Sequence, residues 1–431
     1  MMLLSCVFYY TLAYHFQRTD FIKLVGLFLG LLVLCYKLVQ FEKYNPKFLF
    51  AAGVLFRVIF LFSIPNLSQD FYRFIWDGTL VSQWINPYLY TPNQLLENAE
   101  IIIPHAQELI SGMGELSPKF HSNYPPLNQL IFGLAAILGG KSIMGSVVVM
   151  RLIIIASDIG IVYYGRKLLK SLNRSPHLIF WYFLNPLILL ELTGNLHFEG
   201  VMLFFFVWSL YFLSKNNWQL AGIIYAFSIA TKLLPLLFLP LFLNYLGWKK
   251  SLYFYVIVGA TILLMVAPFY APEFITNYSE TIGLWFSNFK FNASIYNLTK
   301  SIGVHFFDAK PWEFIIAYGK TIPYLVITVV LLFTFFRKNQ NLSTLLTSML
   351  WVLSFYLFVS TTVHPWYISF LVLLTIFTNY RYALIWSGLV ILSYFAYSNP
   401  NYIEHLGLLA FEYIVVFTYM LYEISTQRNK K

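Results

Sequence analysis

Residues 68 to 78 read Ser68-Gln69-Asp70-Phe71-Tyr72-Arg73-Phe74-Ile75-Trp76-Asp77-Gly78. If this run is helical, Asp70, Arg73 and Asp77 stand at i, i+3 and i+7 and share one face. Those types suit two tasks: a carboxylate can take a proton from a hydroxyl, and a planar guanidinium can grip a phosphate. Ser68 fits as the N-cap, and Phe71, Phe74 and Ile75 on the opposite face suggest a helix resting on a membrane interface. The plain alternative is a solvated amphipathic helix with an ordinary Asp–Arg pair, which the same spacing produces.

The elements that must position these residues are set by composition. Of 431 residues, 59% are hydrophobic, 20% aromatic and only 11% charged. A soluble domain carries about 25% charged residues. Apolar runs approaching the roughly 20 residues needed to span a bilayer recur from end to end, leaving no room for a separate soluble domain. The expected architecture is one all-α transmembrane domain over 1–431 with about fourteen helices, twelve at the least. The first run, near 1–16, has no charged leader or small-residue cleavage site and reads as a retained helix. Cys6 and Cys35 lie inside apolar runs and offer neither a disulfide framework nor a zinc site.

The net charge of +10 comes from short Lys and Arg clusters between apolar runs, not from one basic face, so no nucleic-acid partner is expected. Lys37, Lys43 and Lys47 flank one break, and Arg166, Lys167, Lys170 and Arg174 fill another. Further groups are Lys249 with Lys250, Arg337 with Lys338, Arg381, and Arg428, Lys430 and Lys431. Placing all of these on the cytoplasmic side gives one alternation, with both termini inside. Tyr124 to Gly139 would break it by spanning, so this stretch is expected to lie in the interface, with Pro in its first turn. The outer face then carries long loops at 65–146 and 271–320, and loops of that length are usually functional.

The same alternation places other polar residues at outer helix ends. Lys232 lies in Ala230-Thr231-Lys232-Leu233-Leu234-Pro235, where a cation must snorkel or find an anion. His197 and Glu199 lie in Gly194-Asn195-Leu196-His197-Phe198-Glu199, and His364 and Trp366 in His364-Pro365-Trp366-Tyr367. Each histidine is a candidate phosphate or sugar ligand, although a lone interfacial histidine is more often a polar cap. Glu199 is a candidate for the sugar or for one of these cations. Trp285 and Trp366 are candidates for stacking on a sugar ring, and Trp at a membrane boundary is also routine. Arg57, Arg151 and Asp158 fall within apolar runs and read as structural, with Arg151 and Asp158 too far apart along one helix for a simple pair. Asn-x-Ser/Thr sequences occur at Asn66, Asn292 and Asn297.

Asp70-x-x-Arg73-x-x-Trp76-Asp77-Gly78, Asn86-Pro87-Tyr88 and Tyr124-Pro125-Pro126-Leu127 together resemble the first outer loop of C-type (GT-C) membrane glycosyltransferases that use polyprenyl-phosphate sugars. The resemblance is to bacterial mannosyltransferase-like proteins and, more distantly, to the catalytic mannosyltransferase of glycosylphosphatidylinositol synthesis. It continues through Asn185-Pro186 and the motifs around His197, Lys232 and His364, from about residue 50 onward. Gln69 stands where members often carry a second acid, a departure from a strict DxD-type metal motif; no cofactor is implied, and a divalent metal is compatible without being required.

The resemblance implies sugar transfer from a polyprenyl-phosphate donor to a lipid or glycan acceptor, with inversion, at the outer side of a bacterial cytoplasmic membrane. By that resemblance Asp70 is the base, kept ionised by Arg73, with Asp77 as second candidate; Lys232 or Arg73 faces the donor phosphate. Two other classes compete. A lipid or sugar-lipid transporter should show repeats with broken helices near mid-bilayer, and the sequence shows no convincing repeat. A non-catalytic scaffold gives no reason to gather Asp70, Arg73, Asp77, Lys232 and His364 on one side.

Overall fold

The computed structural model describes residues 1–97 and 101–428, without the side chains of 285–288 and 428. The expected role of Trp285 and the C-terminal cluster of Arg428, Lys430 and Lys431 therefore lie outside the described residues. Everything described is helix, turn or loop, apart from an isolated parallel bridge between Phe291 and Thr362.

Among the described residues six helices are long and apolar enough to cross a membrane, or seven if one bent pair counts as a span. This is a helical membrane protein. Helices occur wherever the apolar runs predicted them, but seven apolar helices of 10–17 residues are too short for length alone to make them spans, so a count of about fourteen is not established. The long helices divide by position. Leu342–Val359 has 67% of its apolar window buried, whereas Pro311–Phe335 has 11%. The first is a core element, and the second turns its side chains outward. Ile368–Phe377 is buried at every residue, as expected of a helix that is apolar all round. Pro311–Phe335 begins ten residues before the apolar run suggested, so the second long loop ends at 310 and not at 320. Pro311 occupies its first turn, where a missing N–H costs nothing.

The expected first loop is folded. Asp70–Ser82, Pro92–Leu96, Ala106–Gly112 and Pro126–Leu138 are helices within it. Asp70–Ser82 does not rest one face on an interface: Phe71, Phe74, Ile75 and Trp76 are all buried in protein. It packs against Pro126–Leu138, and Gly78 makes that approach possible, since a Cβ there would meet the Phe132 carbonyl oxygen at 2.3 Å. The blocking atom is backbone. Gly78→Val is therefore expected to lower the thermal midpoint in detergent, with overpacking costing about 1–3 kcal/mol. An unchanged melting curve would show that the two helices can separate freely.

Buried charges brace the bundle. Arg57 Nε meets Asp158 Oδ2 at 2.8 Å, both fully buried, while Arg57 Nη1 donates to the carbonyls of Gly53 and Phe183. Tyr182 donates to the same carboxylate, and the guanidinium lies 3.9 Å from the Phe183 ring centroid. Arg151 has no carboxylate partner among the described residues. It donates to the carbonyls of Leu61, Ser63, Thr193 and Gly194, gathering chain ends whose acceptors face a positive charge favourably. The structural reading of these residues holds, with Arg57 as the partner of Asp158.

The bent pair, Pro176–Phe183 and Ile188–Gly194, turns by 64° at Asn185-Pro186. Pro186 cannot donate, and the Asn185 side chain accepts from Leu187 N and donates to Ser387 Oγ, which fixes the bend. The second half is π-helical, a rare form that is frequent at functional sites. It delivers Asn195 and His197 to the end of the bundle that Asp70 occupies.

Candidate active site

Asp70, Glu199, Lys232, His197 and His364 all come from helix ends. Asp70 and Glu199 are the first residues of their helices, where exposed N–H groups favour a carboxylate. Lys232 follows the last residue of Trp218–Thr231, where exposed carbonyls favour a cation. His197 lies in the turn before Glu199, and His364 precedes the 3-10 turn Pro365–Tyr367. Ser68 is not the N-cap of the Asp70 helix. Gln69 holds that position, and Ser68 Oγ accepts from Asp70 N at 3.2 Å instead, which fixes the first turn from one residue further out.

Lys232 Nζ lies 3.1 Å from Glu199 Oε1 and 5.6 Å from the centroid of Tyr124. The Lys232 side chain is 23% exposed, against 5% for Glu199, so the lysine is the more accessible of the two. Asn128 Nδ2 donates to the Thr231 carbonyl at 2.7 Å and pins the backbone just before the lysine. Asp70 is partly buried. Burial raises its carboxyl pKa to about 6, opposed by the attraction of Lys232 and reinforced by repulsion from Glu199.

That assignment corrects the expectation that Arg73 would keep Asp70 ionised. Arg73 instead joins Asp77, Nε to Oδ1 at 2.7 Å, and its Nη1 donates to the carbonyls of Ser117 and Phe120. Asp77 is fully buried and also accepts from Ser122 Oγ and Gln129 Nε2. The helical spacing put the three on neighbouring turns, where Arg73 can meet either carboxylate, and the Ser117 and Phe120 carbonyls hold its guanidinium on the Asp77 side. Arg73 and Asp77 thus fasten residues 117–122 onto the Asp70 helix, with both Asp77 oxygens engaged and Arg73 Nη2 left without a hydrogen-bond partner among the described residues.

The histidines are not polar caps. They form a column of rings with Trp366: His197 stacks on one face at 3.7 Å between centroids and His364 on the other at 4.2 Å, with Phe291 on the far side of His364 at 4.9 Å. Both faces of Trp366 are thus covered by imidazoles, leaving none for a sugar ring, contrary to the stacking expected of it. Burial and the nearby Lys232 charge lower the pKa of both imidazoles, that of His364 to about 3 and that of His197 well below its ordinary value. Both are therefore neutral at physiological pH. Several buried atoms around this group have no hydrogen-bond partner among the described residues: Glu199 Oε2, both His197 nitrogens, His364 Nδ1 and Asn128 Oδ1. Such atoms are costly unless a ligand or solvent meets them. Among the described residues no three His, Cys, Asp or Glu side chains are grouped as metal ligands.

The loop motifs act as braces. Asn86 Oδ1 accepts from Tyr88 N, its Nδ2 donates to the Phe269 carbonyl, and Tyr88 OH donates to the Tyr124 carbonyl at 2.6 Å. Asn277 Nδ2 donates to the Tyr88 carbonyl, which ties the second long loop to the first. Asn292 is fully buried and its Nδ2 donates to Glu412 Oε1, so this Asn-x-Ser is no acceptor for a surface modification.

Sequence reasoning missed four contributors. Glu191 is fully buried beside the site, accepts from Tyr394 OH at 2.8 Å and from Asn195 Nδ2, and lies 3.7 Å from His197 Nε2. Its signal was a lone acid inside an apolar run. Tyr367 and Tyr397 lie within electrostatic reach of Asp70. Arg18 is placed 4.7 Å over the Tyr397 ring and donates to Tyr402 OH at 2.9 Å. It stands in the break between the first two apolar runs, which the cation alternation already put on the same side as Asp70.

A family model described as "Alpha-(1->6)-mannopyranosyltransferase, N-terminal domain" matches residues 8–247, more than half of the chain. That stretch holds Asp70, Glu199 and Lys232 but not His364. The chain is 22% identical over 153 residues to alpha-(1->6)-mannopyranosyltransferase A of Mycobacterium tuberculosis, covering 35% of this chain and 28% of that protein. It is 28% identical over 149 residues to alpha-(1->6)-mannopyranosyltransferase B of Corynebacterium glutamicum, covering 34% and 23%. The matched stretches thus span about a quarter of each relative's length. With an all-helical membrane frame and a carboxylate–lysine site at its helix ends, the chain belongs to the alpha-(1->6)-mannopyranosyltransferase family, matching its N-terminal domain.

Proposed function

We propose that the protein is a mannosyltransferase that moves a mannosyl unit from a polyprenyl-phosphate donor to a hydroxyl of a lipid or glycan acceptor, with inversion. The observation that carries this reading is the convergence of Asp70, Glu199 and Lys232 with buried polar atoms that lack partners among the described residues. Asp70 takes the acceptor proton as the acceptor oxygen bonds to the anomeric carbon. The bond from that carbon to the phosphate oxygen breaks, and polyprenyl phosphate leaves with the electron pair. Lys232 faces the charge that grows on the phosphate, and Glu199 holds the ammonium in place. His197, His364 and the tyrosines Tyr367 and Tyr397 supply hydrogen bonds to hydroxyls without adding charge. If the product is α-(1→6)-linked, as the relatives' names suggest, inversion requires a donor of β configuration.

The positive-inside pattern supports a site at the outer face of a bacterial cytoplasmic membrane, with both termini cytoplasmic. The broken helix pair does not favour a transporter. Its acid, Glu191, is held by Tyr394 and Asn195, and Asn195 Oδ1 accepts from Leu67 N, so these groups brace the bend.

The test is transfer by purified protein in nanodiscs, from a prenyl-phosphate β-mannose donor to mannoside acceptors, with the product linkage read by NMR. An α-mannosidic product supports the reading. No product with any acceptor, from protein that retains its fold, would refute it. Because Asp70 must be ionised and burial sets its carboxyl near 6, kcat/KM should rise with pH through about 6. A profile flat from pH 5 to 7 would remove Asp70 as the base.

A further inference from the structure

At the end of the bundle opposite this site, a groove of about 440 Å³ is lined by Phe50, Ile159, Val162, Tyr163, Arg166, Lys167 and Lys170. Its size falls within the roughly 300–1,000 Å³ of small-molecule sites. The separation from the site follows from the helix Ile143–Ser171: Arg151 binds carbonyls beside the site, and Arg166 lies about 22 Å further along at 1.5 Å per residue.

The lining residues of this helix are graded. Ile159, Val162, Tyr163, Arg166, Lys167 and Lys170 fall at i, i+3, i+4, i+7, i+8 and i+11, one continuous stripe. Along roughly 16 Å the stripe passes from apolar to aromatic to cationic. Phe50, from the helix Pro46–Ile59, supplies the facing wall. That order matches a phospholipid read from acyl chain through glycerol to phosphate. Lys167 is engaged, its ammonium 3.9 Å from the Tyr163 ring centroid and hydrogen-bonded to the Tyr163 hydroxyl. Arg166 and Lys170 have no ion pair among the described residues.

We infer that this groove is a binding site for one anionic glycerophospholipid, its acyl chain against Phe50, Ile159 and Val162 and its phosphate at Arg166 and Lys170. A purely topological role for these cations explains their sign and side. It does not explain an apolar cleft aligned with them on one helical stripe.

The test is lipid retention by the full-length protein, equilibrated in nanodiscs of phosphatidylcholine with phosphatidylglycerol and read by native mass spectrometry after transfer to detergent. Retention of one phosphatidylglycerol, at least tenfold over phosphatidylcholine, is expected. The double variant Arg166→Gln, Lys170→Gln should lose that preference. Ile159→Trp, which fills the cleft and keeps the cations, should lose the bound lipid. Thermal melting of each variant establishes that it is folded. Equal retention of the two lipids, or a preference that survives the double variant, would overturn the inference. So would binding of soluble glycerol phosphate as tight as that of the lipid, since the cleft would then read a phosphate alone. The outcome is independent of whether mannosyl transfer is observed.

Discussion

Asp70→Asn is expected to reduce mannosyl transfer by about 10²–10⁴-fold, the range for losing a positioned general base, with no loss of folded protein. The replacement keeps the shape of the side chain, and Asp70 has no ion pair within 4.0 Å to break among the described residues. Asp77→Asn is the matched control and should behave in the opposite way. It removes the charge that holds Arg73 and leaves a buried guanidinium against Ser117 and Phe120 carbonyls alone. Its melting temperature should fall, and activity should track the fraction that stays folded. Rates per folded molecule in the two variants decide between the carboxylates. Full activity in Asp70→Asn, with a specific loss in Asp77→Asn, would exchange their roles.

Asp158→Ala is expected to have the largest effect on folding. It strands the Arg57 guanidinium in a fully buried setting, where removing one partner of a buried pair costs about 3–5 kcal/mol. Membrane-extracted protein should fall sharply in yield and aggregate during size-exclusion chromatography. The double replacement Arg57→Met, Asp158→Leu removes both charges at similar volume and should recover much of the loss. A single variant as stable as the parent would mean that the carbonyls of Gly53 and Phe183 alone satisfy Arg57. Because these residues do not reach Asp70, the recovered double variant should also recover transfer.

The contrast between these carboxylates shows how far the sequence could be read. Asp70 and Asp77 have the same side chain, stand two helical turns apart and belong to one motif. Their difference comes from partners distant in sequence. Ser122 and Gln129 close on Asp77, while Lys232 and Glu199 face Asp70. The helix Asp70–Ser82 was legible from its spacing, but its burial was not. An amphipathic pattern looks the same on an interface as against a neighbour with a matching apolar face. Gly78 was the clue to that neighbour, since it admits the Phe132 backbone. Trp366 was legible as a candidate for stacking, but its place between two imidazoles was not, because only the fold brings His197 and His364 to its two faces.

The amino-acid sequence by itself determined the class of this protein. Length and apolar periodicity require a helical membrane frame, and that requirement is local: each segment must satisfy its own backbone wherever water is absent. The motifs also marked Asp70, Arg73, Asp77, Glu199, Lys232, His197, His364 and Trp366 as candidates for one site. Tertiary structure decided which of the charged residues are available. In a low-dielectric interior a charge is bound by whatever partner lies within a few ångströms, and that distance is fixed by helices far apart in the chain. It gave Arg73 to Asp77 and Arg57 to Asp158, and left Asp70 facing Lys232.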